Sequence, residues 1–110
     1  MTRLEVLKDS IPYVTPITIK GETFYFSFKY NLYDQRIYVD LYDYQNNKLY
    51  DSEPILFGIP LWFNKLIGAN NNSNKKFPQA YIIPNTKDRK IIKIDYSNID
   101  KVELIIKEFG

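Results

Sequence analysis

The chain has no cysteine, no histidine and only four glycines in 110 residues. Without cysteine there are no disulfides and no thiolate metal sites, and the redox compartment leaves no mark on the sequence. Without histidine the commonest general base and the commonest metal ligand are both missing. A nucleophilic triad is then left with lysine- or carboxylate-assisted versions, and no serine sits in a glycine-rich elbow. Gly21, Gly58, Gly68 and Gly110 are too scattered for a phosphate-binding loop or a dinucleotide fingerprint. The segment Met1 to Glu5 lacks a signal-type apolar run, and no stretch approaches the roughly 20 apolar residues that cross a bilayer as a helix. The expectation is a protein made and folded in the cytoplasm. It has no catalytic residues, cofactor, metal or small-molecule substrate, and does not insert into membranes.

What is present points to strands. Hydrophobic residues make up 45% and charged residues 25%, ordinary for a folded domain, and the length suits one domain. Aromatics are abundant, with 10 Tyr and 7 Phe, residues that favour strands and serve well at interfaces. The net charge of +2 is too small to predict a nucleic-acid partner. It is unevenly spread: residues 1–60 carry six Lys/Arg against eight Asp/Glu, residues 61–110 nine against five, a drift from −2 to +4. That reads as one slightly basic, solvated face.

The clearest pattern lies between Glu22 and Tyr30. Phe24, Phe26, Phe28 and Tyr30 share one side of an extended chain, and Thr23, Tyr25, Ser27 and Lys29 the other, the period of a strand with one buried face. Asn31 to Gln35 reads as a turn. From Arg36 to Tyr44 a second strand turns Ile37, Val39 and Leu41 inward and Tyr38, Asp40 and Tyr42 outward. Gln45 to Lys48 makes a tight turn and Lys48 to Ser52 a third strand, which completes an N-terminal antiparallel meander.

The flanks are less regular. Residues 1–20, with a short strand at Leu4 to Lys8 and prolines at 12 and 16, read as an edge strand or an extended arm. Ile55 to Phe63 is apolar but broken by Gly58 and Pro60, a buried loop with one helical turn from Leu61 to Ile67. Residues 68–77 are predicted to be a mobile Asn-rich loop. Further strands are expected at Gln79 to Ile83, Lys90 to Asp95 and Lys101 to Glu108, where Ile105 breaks the polar face. The sum is an all-β fold, a small antiparallel barrel or sandwich of six to seven short strands.

Few residues invite a chemical role. Asp40 and Asp43, three apart on a strand, point to opposite faces and do not converge. Asp34, Asp40 and Asp51 can meet across the meander, but their spacing is no calcium loop, and solvated strand-edge acids are the simpler reading. The outward tyrosines Tyr25, Tyr38 and Tyr42 are the candidate interface. Trp62 joins them as an anchor, of the core or of an interface. Tyr25, Tyr38 and Tyr42 with Lys29 and Arg36 nearby also sketch a platform for single-stranded nucleic acid, the alternative function, although Asp40 and Asp43 oppose phosphate.

The order of features resembles the small baseplate plug proteins of contractile-tailed bacteriophages. The likeness rests on an early Ile11-Pro12 and the strand Phe24-Tyr-Phe-Ser-Phe-Lys-Tyr-Asn31. It continues through Ile37-Tyr-Val-Asp-Leu-Tyr-Asp43, the Phe57-Gly-Ile-Pro-Leu61 step, the strand Ala80-Tyr-Ile-Ile83 and the closing Val102-Glu-Leu-Ile-Ile106. It covers residues 11–106. Asn46-Asn47 stands where the family often has glycine, and the Asn-rich loop is a further departure. The resemblance implies a structural virion component at the tail hub near the end of the tail tube. It would be held by hub, spike or tube proteins in several copies around the tail axis, in a phage or a tail-like particle.

Overall fold

A nine-residue alternation of aromatic and polar side chains can bury one face only if it pairs with strands of the same period, and it does. The computed structural model describes residues 2–66, 76–91 and 93–109. Strand β1 is Thr2–Glu5, β2 Tyr13–Ile19, β3 Glu22–Tyr30, β4 Ile37–Tyr42 and β5 Lys48–Pro54. One helical turn, α1, covers Phe63–Leu66, and strands β6 (Ala80–Thr86) and β7 (Val102–Glu108) follow. The strands form two antiparallel sheets, β2-β3-β4-β5 and β1-β7-β6. The architecture is a sandwich and not a closed barrel.

The four-stranded sheet is assembled from sequence neighbours. Phe24 faces Ile17 on β2, while Phe26 faces Leu41 and Phe28 faces Val39 on β4. All six are buried, as the alternation requires. The three-stranded sheet instead joins the first strand to the last: Thr2 lies opposite Ile106 and Leu4 opposite Leu104. β7 is its central strand, paired on the other side with β6 from Ala80↔Glu108 to Thr86↔Val102. Val102, Leu104 and Ile106 face inward with Ala80 and Ile82. Burial of the Val, Leu and Ile side chains among them in the shared core stabilises each by about 1.5–3 kcal/mol.

Trp62 is fully buried in the core, against the four-stranded sheet. Its ring meets Phe26 edge-on at 5.4 Å and lies 6.5 Å from Phe77 and 6.3 Å from Tyr50. Its backbone takes a left-handed φ of 42°, and its backbone N–H donates to the Glu53 carboxylate, which holds it there. The sequence allowed Trp62 a core or an interface role, and the core role is the one it has.

Two expectations need correction. Among the described residues from Lys90 to Asp95 no strand forms. Asp95 caps a 3₁₀ helix over Tyr96–Lys101, accepting from the Ser97 backbone N–H at 2.9 Å while Asn98 accepts from the Asp95 N–H. Ile94 and Ile99 are core plugs on either side of that cap, so their spacing reports a turn and not a ladder. The Asn-rich loop lies outside the described residues from 68 to 75, but Phe77, placed within it by sequence, is 5% exposed and belongs to the core. In the arm region, β1 and β2 are edge strands of different sheets, bridged by a 3₁₀ turn at Lys8–Ser10.

The sheet edges are mostly unavailable to another strand. On β2, Pro16 has no N–H to offer. On β5 the register against β4 slips twice, with Val39 opposite Glu53 but Leu41 opposite Tyr50. Along β6, Gly58 donates to the Pro84 carbonyl and Leu61 to the Ile82 carbonyl, both at 2.9 Å, so the loop before α1 lines that edge.

Candidate interaction surface

On the outer face of the four-stranded sheet, β3 and β4 place their outward residues in rows: Tyr25 beside Tyr42, Ser27 beside Asp40, Lys29 beside Tyr38. The three candidate tyrosines are therefore not one cluster. Tyr25 and Tyr42 are a direct cross-strand pair, the kind of contact worth about 0.2–1 kcal/mol. Tyr38 sits two rows away and donates its hydroxyl to Asp34, which raises the phenol pKa and lowers that of the carboxylate.

The row between them is ionic. Asp40 is 6% exposed although it lies on the outer face. The β5 bulge explains it: two residues, Asp51 and Ser52, oppose the place where a regular ladder has one, and Ser52 adopts φ 57°. The Ser52 N–H, turned out of the ladder, donates to Asp40 Oδ1 at 2.7 Å. Lys29 Nζ lies 3.1 Å from the same carboxylate and 3.6 Å from Asp51, and Lys48 Nζ lies 3.2 Å from Asp51 and 3.9 Å from Asp40. Lys48 holds Asp51 below the usual carboxylate range, and Asp51 raises Lys48 in return. Asp40 is thus a structural acid and not a solvated one. Of the three carboxylates that could meet across the meander, Asp40 and Asp51 do, with two ammonium groups already between them, while Asp34 is engaged by Tyr38. Among the described residues no set of three such groups is placed to hold a metal ion.

This network bears on the nucleic-acid alternative. Lys29 is committed to two carboxylates, so the tyrosine platform offers phosphate no free cation at that position. Asp43 lies past the end of β4 and organises the next turn, accepting from the Asn47 and Gln45 backbone N–H groups, which keep its pKa low.

Around Tyr25 and Tyr42 the face becomes apolar and open. Val14 from β2 and Tyr44 from the turn join them, 59% and 69% exposed. With Ser27 and Asn46 they line a hollow of about 490 Å³. A second hollow, about 360 Å³, lies at the other end of the face beside Tyr38, under Leu32 and Tyr33. Val14, Leu32, Tyr33 and Tyr44 were absent from the sequence candidates. A signal for them exists: Leu32 and Tyr33 are large side chains inside an otherwise polar turn, Tyr44 is the last residue before the next one, and Val14 alternates with the inward Tyr13, Thr15 and Ile17. What the surface can do is pack. Rigid aromatic rings with a polar rim, held on a hydrogen-bonded sheet, are the composition of an interface core.

Residues 1–108 fit the family model described as "Cyanophage baseplate Pam3 plug gp18". No curated protein and no solved structure matches the chain.

Proposed function

The chain belongs to that baseplate plug family, and on this premise we propose that it sits in the tail hub near the end of the tail tube, held by packing its tyrosine face against neighbouring proteins. Membership makes it a structural component of the phage baseplate, a virion protein of the tail whose partners are other tail and baseplate proteins. The finer reading is that the neighbours are hub, spike or tube proteins, that several copies surround the tail axis, and that the protein is made in the host cytoplasm before assembly.

One observation carries the packing surface: Val14, Tyr25, Tyr42 and Tyr44 form an open apolar hollow on a rigid sheet, with an ion-paired row directly beside it. Covering such a patch removes apolar surface from water, a gain offset in part by the freedom lost on association. A structure of the assembled tail tests the reading. Tyr25, Tyr42 and Tyr44 are expected to lose solvent to other chains at the hub. A complete tail in which this face stays in solvent would refute it.

A further inference from the structure

Strand β5 does not keep the alternation of a regular strand, and the outer face depends on where it breaks. Val39 faces Glu53, and an unbroken ladder would continue with Leu41 opposite Asp51 and Tyr42 opposite Tyr50. That register would carry Asp51 into the core and Tyr50 out of it. The observed register sets Leu41 opposite Tyr50 and Tyr42 opposite Lys48. Glu53 and Tyr50 therefore share the inner side although they are three apart. Glu53 accepts from the Trp62 N–H, and the Tyr50 ring lies 6.3 Å from both Trp62 and Phe77. The bulge at Asp51 and Ser52 is what reverses the alternation.

The bulge has two costs. Ser52 is not a glycine, yet it takes φ 57°, and its N–H has left the ladder. Asp40, on the facing strand, offsets the second by accepting that N–H at 2.7 Å. Its own charge is answered by Lys29 at 3.1 Å and Lys48 at 3.9 Å, so the carboxylate can stay buried.

The tyrosine hollow is built on the far side of this bulge. Lys48 Nζ lies 5.6 Å from the centre of the Tyr42 ring, held there by Asp51 at 3.2 Å. The turn from Asp43 to Asn47, closed by the Asp43 N–H to the Asn47 carbonyl at 3.0 Å, carries Tyr44 and Asn46 into the same hollow. Tyr42, Tyr44 and Asn46 thus all depend on the pairing of β4 with the first half of β5.

We propose that Asp40 is a positioning residue for the tyrosine face: by holding the β5 bulge it keeps Lys48 opposite Tyr42, and so fixes the ring and the turn that wall the hollow. The proposal rests on the reading of that face as the packing surface. Without the Asp40 acceptor the chain is left with an orphan N–H in the bulge or a register that buries Asp51. The first half of β5 then loosens from β4, and the wall of the hollow loosens with it.

The test follows Asp40→Ala and Asp40→Asn in the intact chain by NMR, and by binding to immobilised baseplate and tail-tube proteins of the same particle. In Asp40→Ala the Ser52 amide is expected to exchange about tenfold faster or more, and the Tyr42–Lys48 contacts to weaken while those of Val39 with Glu53 persist. Binding is expected to fall about tenfold. Asp40→Asn, which keeps an acceptor at Oδ1, should retain the Ser52 protection and most of the binding. An Asp40→Ala chain that merely melts lower, with its Tyr42–Lys48 contacts intact, would make Asp40 an ordinary stabilising acid and overturn the proposal. So would full binding by Asp40→Ala beside lost binding by Tyr44→Glu, which leaves the tyrosine face standing without need of Asp40. Full binding by both variants, or none by the parent, would sink the tyrosine-face reading and this inference with it. Should Asp40→Ala not fold, the parent decides: a Ser52 amide that exchanges as fast as an unbonded one means that Asp40 does not hold the bulge.

Discussion

The two sheets of this sandwich are built in opposite ways. In the four-stranded sheet every hydrogen-bonded neighbour is also the next strand in sequence, so each pairing closes a short loop. In the three-stranded sheet β1 pairs with β7, about a hundred residues away, and β7 pairs with β6 across an irregular segment and a 3₁₀ helix. Closing a long loop costs only slightly more entropy than closing a short one, but it waits on everything between. One sheet is local and aromatic, the other non-local and aliphatic, and a single core cluster that includes Trp62 joins them. The difference teaches where cooperativity must come from: not from the strands' own pairing, but from side chains that touch both layers.

The strongest way to break the comparison is to remove that joint. Trp62→Ala is expected to cost about 3–5 kcal/mol, a large share of a typical total of roughly 5–15. Urea unfolding followed by circular dichroism and by tyrosine fluorescence should move to lower denaturant together. Separate transitions would mean that the sheets stand alone. A smaller cut sharpens the contrast. Leu104→Ala, at the centre of the three-stranded sheet, is expected to cost about 2–5 kcal/mol. Amide hydrogen exchange should then show β6 and β7 losing protection before β3 and β4, and equal loss everywhere would erase the distinction between local and non-local sheets.

The smallest effect concerns pH. Burial raises the Glu53 carboxyl above its ordinary value, against the pull of the Trp62 N–H. A raised folded-state pKa contributes stability below the unfolded value and loses it as pH climbs through the folded one. At neutral pH that contribution is gone, so Glu53→Gln, which keeps an acceptor for Trp62, should melt slightly higher than the parent. The gap should close in acid. Asp34, Asp43, Asp51 and Asp95 work in the other sense: their lowered pKa values favour the fold above their unfolded values and lose that stability as pH falls. Thermal melts across the acid range check both signs, and a neutral-pH loss in Glu53→Gln would show that the charge itself is needed.

Legibility followed the same division. The β3–β4 hairpin could be read because Phe24, Phe26 and Phe28 alternate without interruption and the turn beyond is polar. The partner of β1 could not, because nothing in Thr2 to Glu5 names Val102 to Glu108. Ile94 misled because a capped 3₁₀ turn and a short strand bury apolar residues at similar spacings. The outward tyrosines were visible as a set, since alternation fixes which face they take. Their division into a pair and a distant third depends on the rows, and the rows contain a bulge. Asp40 looked like any solvated acid because its main partner, the Ser52 N–H, is a backbone group released by that bulge.

The closed edges of the sheets carry a further consequence. A protein that docks by strand addition inherits the ladder's steps of about 3.3 Å, and each partner must accept one register or slip by whole residues. Here proline, bulges and the loop along β6 deny that route at three of the four edges. Side-chain packing has no such ruler. Small rotations between packed surfaces are then absorbed by rotamers rather than by broken ladders.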